Sequence, residues 1–160
     1  MLGKTRNHME NVSIRIAEKS DIKNVSELFD LYRQFYEQDP NINLAENFIG
    51  QRINNNESII LIAEDGHNSI VGFCQLYPTF CSVIASPIYA LYDLFVIANK
   101  RRGNVGKLLL LAAEETAKSN GVSRMDLTTA KSNLAAQSLY ESLDWEKDNV
   151  FIAYNKNIKA

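Results

Sequence analysis

A mixed α/β fold, with one mixed sheet covered by helices, is what this chain of 160 residues predicts. Three observations lead there. β-rich runs of about five to nine residues alternate with segments of helical periodicity. A strand passes through a basic, Gly-containing turn directly into an amphipathic helix over Leu91 to Leu111. No repeat, low-complexity tract or linker divides the chain. The expected order is β-α-α-β-β-β-α-β-α-β.

Val12 to Ala17 alternates as a half-buried strand, and Ser20-Asp21 supplies an N-cap for the helix that follows. There Val25, Leu28, Phe29, Tyr32, Phe35 and Tyr36 recur at three and four residues, and Asp39-Pro40 stops the run. A second helix is expected from Leu44 to about Ile53. Ser58–Glu64 and Ile70–Tyr77 form a hairpin around Asp65-Gly66-His67-Asn68, residues Pro78 to Pro87 read as a loop, and Ile88 to Val96 is the next strand. The helix after it places Val105, Leu108, Leu109, Ala112 and Thr116 on one stripe and ends at Ser119-Asn120-Gly121. Arg124–Thr128 is a short strand, parallel to the strand before the helix. Asn133 to Leu143 is a helix, and Asn149 to Tyr154 closes the chain as a final strand. Residues 1–11 carry no pattern and are expected to be a flexible leader, leaving 12–160 as one domain.

The chain is long enough to bury a core without a disulfide or metal staple. A net charge of −2 and a pI near 5.7 argue against nucleic acid or a membrane surface as a partner. Cys74 and Cys81 are expected as reduced thiols, no Cys/His cluster has metal-ligand spacing, and neither His8 nor His67 is placed for catalysis. With no apolar run of spanning length and no secretory leader pattern, a soluble, cytoplasmic protein is expected.

The turn Arg101–Lys107 carries the chemistry. Amides in the first turn of a helix have no partner within it, and the helix dipole adds positive potential, so an anion such as phosphate is favoured there. A nucleotide hydrolase does not fit, because Lys107 is followed by Leu108 and no hydroxyl is available for magnesium. A dinucleotide-binding fold does not fit either, since much structure precedes the turn.

These residues resemble the GCN5-related N-acetyltransferase superfamily over nearly all of Val12 to Tyr154. The acyl-CoA pyrophosphate signature Gln/Arg-x-x-Gly-x-Gly/Ala falls on Arg101-Arg102-Gly103-Asn104-Val105-Gly106, with Asn104 in place of the first Gly. Asn is the non-glycine residue that enters left-handed backbone most readily. The segment Asn133-Leu-Ala-Ala-Gln-Ser-Leu-Tyr-Glu-Ser-Leu-Asp-Trp145 is similar to Asn-x-x-Ala-x-x-Leu-Tyr-x-x-x-Gly-Phe, with Asp144 replacing Gly at the helix end.

The resemblance implies an acyl-CoA N-acyltransferase fold with a twisted, mostly antiparallel sheet. It also implies acetyl transfer from acetyl-CoA to a primary amine by direct attack in a ternary complex, with no metal. The coenzyme would be held by Arg101, Arg102, Gly103, Asn104, Val105, Gly106, Lys107 and Asn133, and by backbone N–H groups at a bulge near Phe95 and Val96. Tyr140 would protonate the leaving sulfur, and Asp93, which interrupts an apolar strand, would act as base or attract the amine. Tyr32, Tyr36, Tyr77 and Asp93 would meet the acceptor, a small amine or a protein amine. A homodimer follows by analogy only.

Each residue also has a plainer reading. Tyr140 lies on an apolar helical stripe and reads equally as core. Asp93 reads as solvent-facing, Arg101 and Arg102 as a solvated pair, and Phe35 as core. The rival function is an acyl-CoA-binding sensor or scaffold of the same fold without turnover.

Overall fold

The computed structural model describes residues 11–158, so the expected leader, Asn11 apart, lies outside the described residues. These residues fall into two compact units, one running to Leu127 and the other beginning at Thr128.

The first unit holds β1 (Ser13–Ile16), α1 (Ile22–Phe35), α2 (Ile42–Asn54), β2 (Ile59–Glu64), β3 (Ile70–Cys81), β4 (Ser86–Val96), α3 (Val105–Ser119) and β5 (Met125–Asp126). The strands form one sheet in the order β1-β2-β3-β4-β5. The first three pairings are antiparallel. β5 runs parallel to β4, with Tyr89 opposite Met125 and Ala90 opposite Asp126, as a strand-helix-strand passage requires.

Side-chain alternation along the strands divides the core between the two faces. Ile60, Ile62, Phe73 and Phe95 pack with Val25, Leu28 and Phe29 of α1 and Ala45 and Ile49 of α2. On the opposite face Gly72 approaches Val105 of α3, and the Cys74 thiol lies 3.9 Å from the Leu109 carbonyl. Buried Asp30 ties the two N-terminal helices together by accepting from Arg33 Nη1 at 2.8 Å and from the Asn41 amide at 3.0 Å.

Several expectations are corrected. The stretch 78–87 is no loop: β3 runs to Cys81 and β4 starts at Ser86, joined by a tight turn through Ala85 at φ 49°. Pro78 and Pro87 are tolerated because the arm is largely solvent-exposed, although both lie within the strands. The buried stripe of α3 is Val105, Leu109, Leu110, Ala113 and Ala117, so Leu108 turns toward solvent. Four consecutive leucines, Leu108 to Leu111, wet every face equally and leave the phase to the sheet. Phe35 is 52% exposed rather than core. Asp21 does stand at the α1 N-cap, but its carboxylate accepts from Arg15 and the Glu18 amide instead of capping α1.

In the second unit the regular element among the described residues is α4 (Leu134–Glu141). The expected final strand at 149–154 is absent. Asp148 Oδ1 accepts from the amides of Val150 at 2.8 Å and Phe151 at 3.0 Å, turning the chain at its start. A β-rich composition makes a strand only where an edge accepts its ladder, and α4 offers none.

All four α-helices among the described residues end in the same way. A residue in left-handed backbone, Glu37, Asn56, Gly121 or Asp144, follows each last turn, and the next amide reaches back five residues to a carbonyl, as Trp145 does to Tyr140 at 3.1 Å.

Candidate active site

β4 positions the site. Its pairing with β3 slips between Gln75 opposite Asp93 and Leu76 opposite Leu91, so Tyr92 is the extra residue of a bulge. The bulge therefore lies at Tyr92 and not, as expected, at Phe95 and Val96, which stay in register with Phe73 and Gly72. Tyr92 is 71% exposed, and its carbonyl accepts from the Tyr32 hydroxyl at 3.2 Å.

Beyond the bulge β4 resumes a regular ladder, which decides where its amides point. The Ile97 amide donates to the Val71 carbonyl at 3.0 Å, so by antiparallel alternation Phe95 also faces β3. Leu94 and Val96 then direct their backbone groups to the other edge. β5 pairs only with Tyr89 and Ala90, so beside Leu94 and Val96 that edge has no strand partner among the described residues. The Val96 carbonyl on this edge accepts from Arg101 Nε at 2.9 Å. Leu94, absent from the sequence expectation, takes the place of Phe95.

Asp93 faces inward, only 4% exposed, on the face covered by α1. Gln75, fully buried, donates from Nε2 to Asp93 Oδ2, and Ser58 Oγ donates to Gln75 Oε1 at 2.7 Å. Burial holds the Asp93 carboxyl above the ordinary carboxylate range, while the hydrogen bond from Gln75 and the neighbouring Tyr32 hydroxyl work against that rise. Burial and the Asp93 charge together push the Tyr32 hydroxyl well above the usual phenol value, and the same causes push Tyr77 up to about 12. Tyr36 packs edge-on against Tyr32 at 5.1 Å, and Tyr77 against Tyr92 at 5.7 Å. Tyr32 and Tyr77 thus stand near the Asp93 carboxylate, and Tyr36 joins them only through its ring contact with Tyr32. The solvent-facing reading of Asp93 is overturned: it shares its face with buried Phe95, two residues on.

The turn after β4 builds the second half of the site. Arg102 and Asn104 both adopt left-handed backbone, φ 67° and 64°, with Gly103 between them. Asn104 is the N-cap of α3, yet its side chain makes no capping bond; its carbonyl accepts from the Leu108 amide at 2.9 Å. The amides of Val105, Gly106 and Lys107 in this first turn thus lack a side-chain cap and are placed for an anion. The Arg101 guanidinium is engaged within the fold, lying 5.6 Å from the Phe35 ring and 5.5 Å from the Phe95 ring as well as on the Val96 carbonyl. Exposed Arg102 and Lys107 carry the remaining positive charge of the turn.

Gly72 was missed by sequence reasoning. A Cβ there would stand 2.9 Å from the Phe95 carbonyl and 3.3 Å from Val105 Cγ1, so its bare backbone lets α3 begin close against the sheet.

In the second unit Asn133 is the N-cap of α4, its Oδ1 accepting from the Ala136 amide at 3.2 Å. Tyr140 lies on the last turn of α4 with its ring 6.0 Å from that of Trp145. Asp144 adopts φ 62°, so the helix-end turn forms without glycine. Among the described residues no group of His, Cys, Asp and Glu is arranged to hold a metal, and no helix is long and apolar enough to cross a membrane.

Comparison with known proteins identifies the family and the fold. The family model described as Acetyltransferase (GNAT) family matches residues 25–145. A Bacillus subtilis (strain 168) protein named "Uncharacterized N-acetyltransferase YhfO" is 43% identical over 149 residues, covering 93% of this chain and 99% of the relative. A crystal structure of a probable acetyltransferase, 32% identical, superposes with a TM-score of 0.86 over 92% of this chain and 99% of that one. At 18% identity the aminoglycoside N-acetyltransferase AAC(6')-Iy, solved in complex with CoA, shares the fold with a TM-score of 0.78 over 93% and 97% of the two chains. The chain belongs to the Acetyltransferase (GNAT) family.

Proposed function

We propose that the protein is an acetyl-CoA-dependent N-acetyltransferase in which a primary amine attacks the thioester directly within a ternary complex. The observation that carries the reading is on β4. One strand presents a buried carboxylate beside a bulge, then open-edge amides at Leu94 and Val96, and leads through the turn 97–104 to the uncapped start of α3.

Acetyl-CoA supplies the acetyl group as an activated thioester. The residues that fit its diphosphate are the first-turn amides of Val105, Gly106 and Lys107, with Arg102 and Lys107 adding charge. The open-edge amides of Leu94 and Val96 suit the amide-bearing arm and the thioester carbonyl. Asp93 removes the proton from the attacking amine, directly or through one water. Its raised proton affinity makes it a stronger base than an exposed carboxylate. Tyr32, Tyr36 and Tyr77 form an aromatic surround that suits a cationic amine before it loses its proton. Following the family resemblance, Tyr140 donates the proton that the departing thiolate takes, and the Asn133 side chain contacts the coenzyme arm.

A thiol-release assay with acetyl-CoA against a panel of polyamines, amino acids, aminoglycosides and lysine peptides tests this. The reading expects free thiol with at least one amine and a loss on the order of 10²-fold or more in Asp93→Asn. Coenzyme binding without turnover on any amine would replace it with the sensor reading.

A further inference from the structure

The side chains of Ser58, Gln75 and Asp93 form a directed chain across three strands' worth of backbone. Ser58 stands just before β2, Gln75 in the middle of β3 and Asp93 on β4, with Gln75 and Asp93 directly opposite in register. The Ser58 hydroxyl donates to Gln75 Oε1 at 2.7 Å, and this fixes which end of the Gln75 amide turns to the carboxylate. Gln75 Nε2 can then only present hydrogens to Asp93 Oδ2. A buried glutamine is costly unless its polar ends are satisfied, and here both are. An apolar residue would fill the position in an ordinary β3, as Phe73 and Leu76 do nearby.

We propose that Ser58 and Gln75 are positioning residues for Asp93, holding its carboxylate in one orientation and favouring its ionised form in an otherwise apolar site. This rests on the reading of Asp93 as the base.

The groups that face Asp93 are few. Tyr32 comes from α1 and Tyr77 from β3; Tyr92 is its neighbour on β4. No lysine or arginine is among the causes that set its proton affinity. Gln75, whose Nε2 donates to the carboxylate, is therefore what chiefly opposes burial, and Ser58 acts through Gln75. A purely structural pair would alter stability and leave the titration of Asp93 in place.

The test is the pH dependence of kcat/KM in Ser58→Ala, Ser58→Thr and Gln75→Leu, beside Asp93→Asn. Removing the Gln75 hydrogen bond should move the acidic limb to higher pH by about one unit, a roughly tenfold loss below the limb. Ser58→Ala should shift it the same way by less, and Ser58→Thr, which retains a hydroxyl, should bring it back toward the parent position. Gln75→Leu risks the fold, so Ser58→Ala with Ser58→Thr decides the matter alone if that variant does not fold. Carbon-13 NMR titration of the Asp93 carboxyl in the same variants should show the same displacement without relying on turnover. An inactive Asp93→Asn together with unmoved limbs and titration in the other variants would overturn the positioning role alone. Full activity in Asp93→Asn would overturn the base assignment, and with it this inference.

Discussion

Gly72 lies beneath Val105, and a methyl group on it would stand 3.3 Å from Val105 Cγ1 and 2.9 Å from the Phe95 carbonyl. One bare α-carbon on β3 thus sets how closely the first residue of α3 can approach the sheet. Gly72→Ala should lower stability by roughly 1–3 kcal/mol, as overpacking does. It should also weaken CoA binding, because the first-turn amides move with Val105. Denaturant unfolding beside a CoA titration checks both, and unchanged CoA affinity would separate the helix start from the coenzyme.

Asp93 lowers stability in a pH-dependent way. Its folded proton affinity is raised, so the penalty for keeping it ionised is present above the folded pKa and absent below the ordinary carboxylate range. Asp93→Asn can still accept from Gln75. It should therefore melt higher than the parent at neutral and alkaline pH, with the gap closing on acidification. Melting temperatures across the pH range measure this, and a gap that widens in acid would contradict the raised affinity.

Arg101 and Arg102 should behave differently. The Arg101 guanidinium donates to the Val96 carbonyl and lies over Phe35 and Phe95, joining the end of α1 to the end of β4. Arg101→Gln should cost about 1 kcal/mol of stability, the scale of a hydrogen bond with exposed cation–π contacts. Arg102→Gln should leave melting nearly unchanged and weaken CoA in a salt-dependent way.

Asp144 holds left-handed backbone at the end of α4, where its charge also opposes the helix dipole. Asp144→Gly should stabilise the second unit by about 0.5–1 kcal/mol. Trp145 is the only tryptophan in the chain and the next residue, so its fluorescence reports that unfolding. A lower midpoint would show that the aspartate makes a contact worth more than the strain.

The strand-turn-helix from Leu91 to Leu111 was legible because local chemistry dictates it: an apolar strand, a left-handed Asn and an unpartnered helix start. Tyr32, Tyr77 and Asp93 could be named as a group, but their convergence depends on α1 lying over β3 and β4. What escaped depends on partners distant in sequence. The phase of α3 is hidden by four leucines, and the bulge at Tyr92 is a difference in residue count between two strands. Gly72 and Gln75 matter only through what stands opposite them. The segment 149–154 has strand composition, but composition supplies no edge.

The coenzyme site is tested most directly by calorimetric titration with CoA and, separately, with pantetheine, which lacks the diphosphate. Binding of CoA, with pantetheine weaker by on the order of 10²-fold, is expected if the amides of Val105, Gly106 and Lys107 hold the diphosphate. Equal affinities for the two, or no heat with CoA, would contradict it.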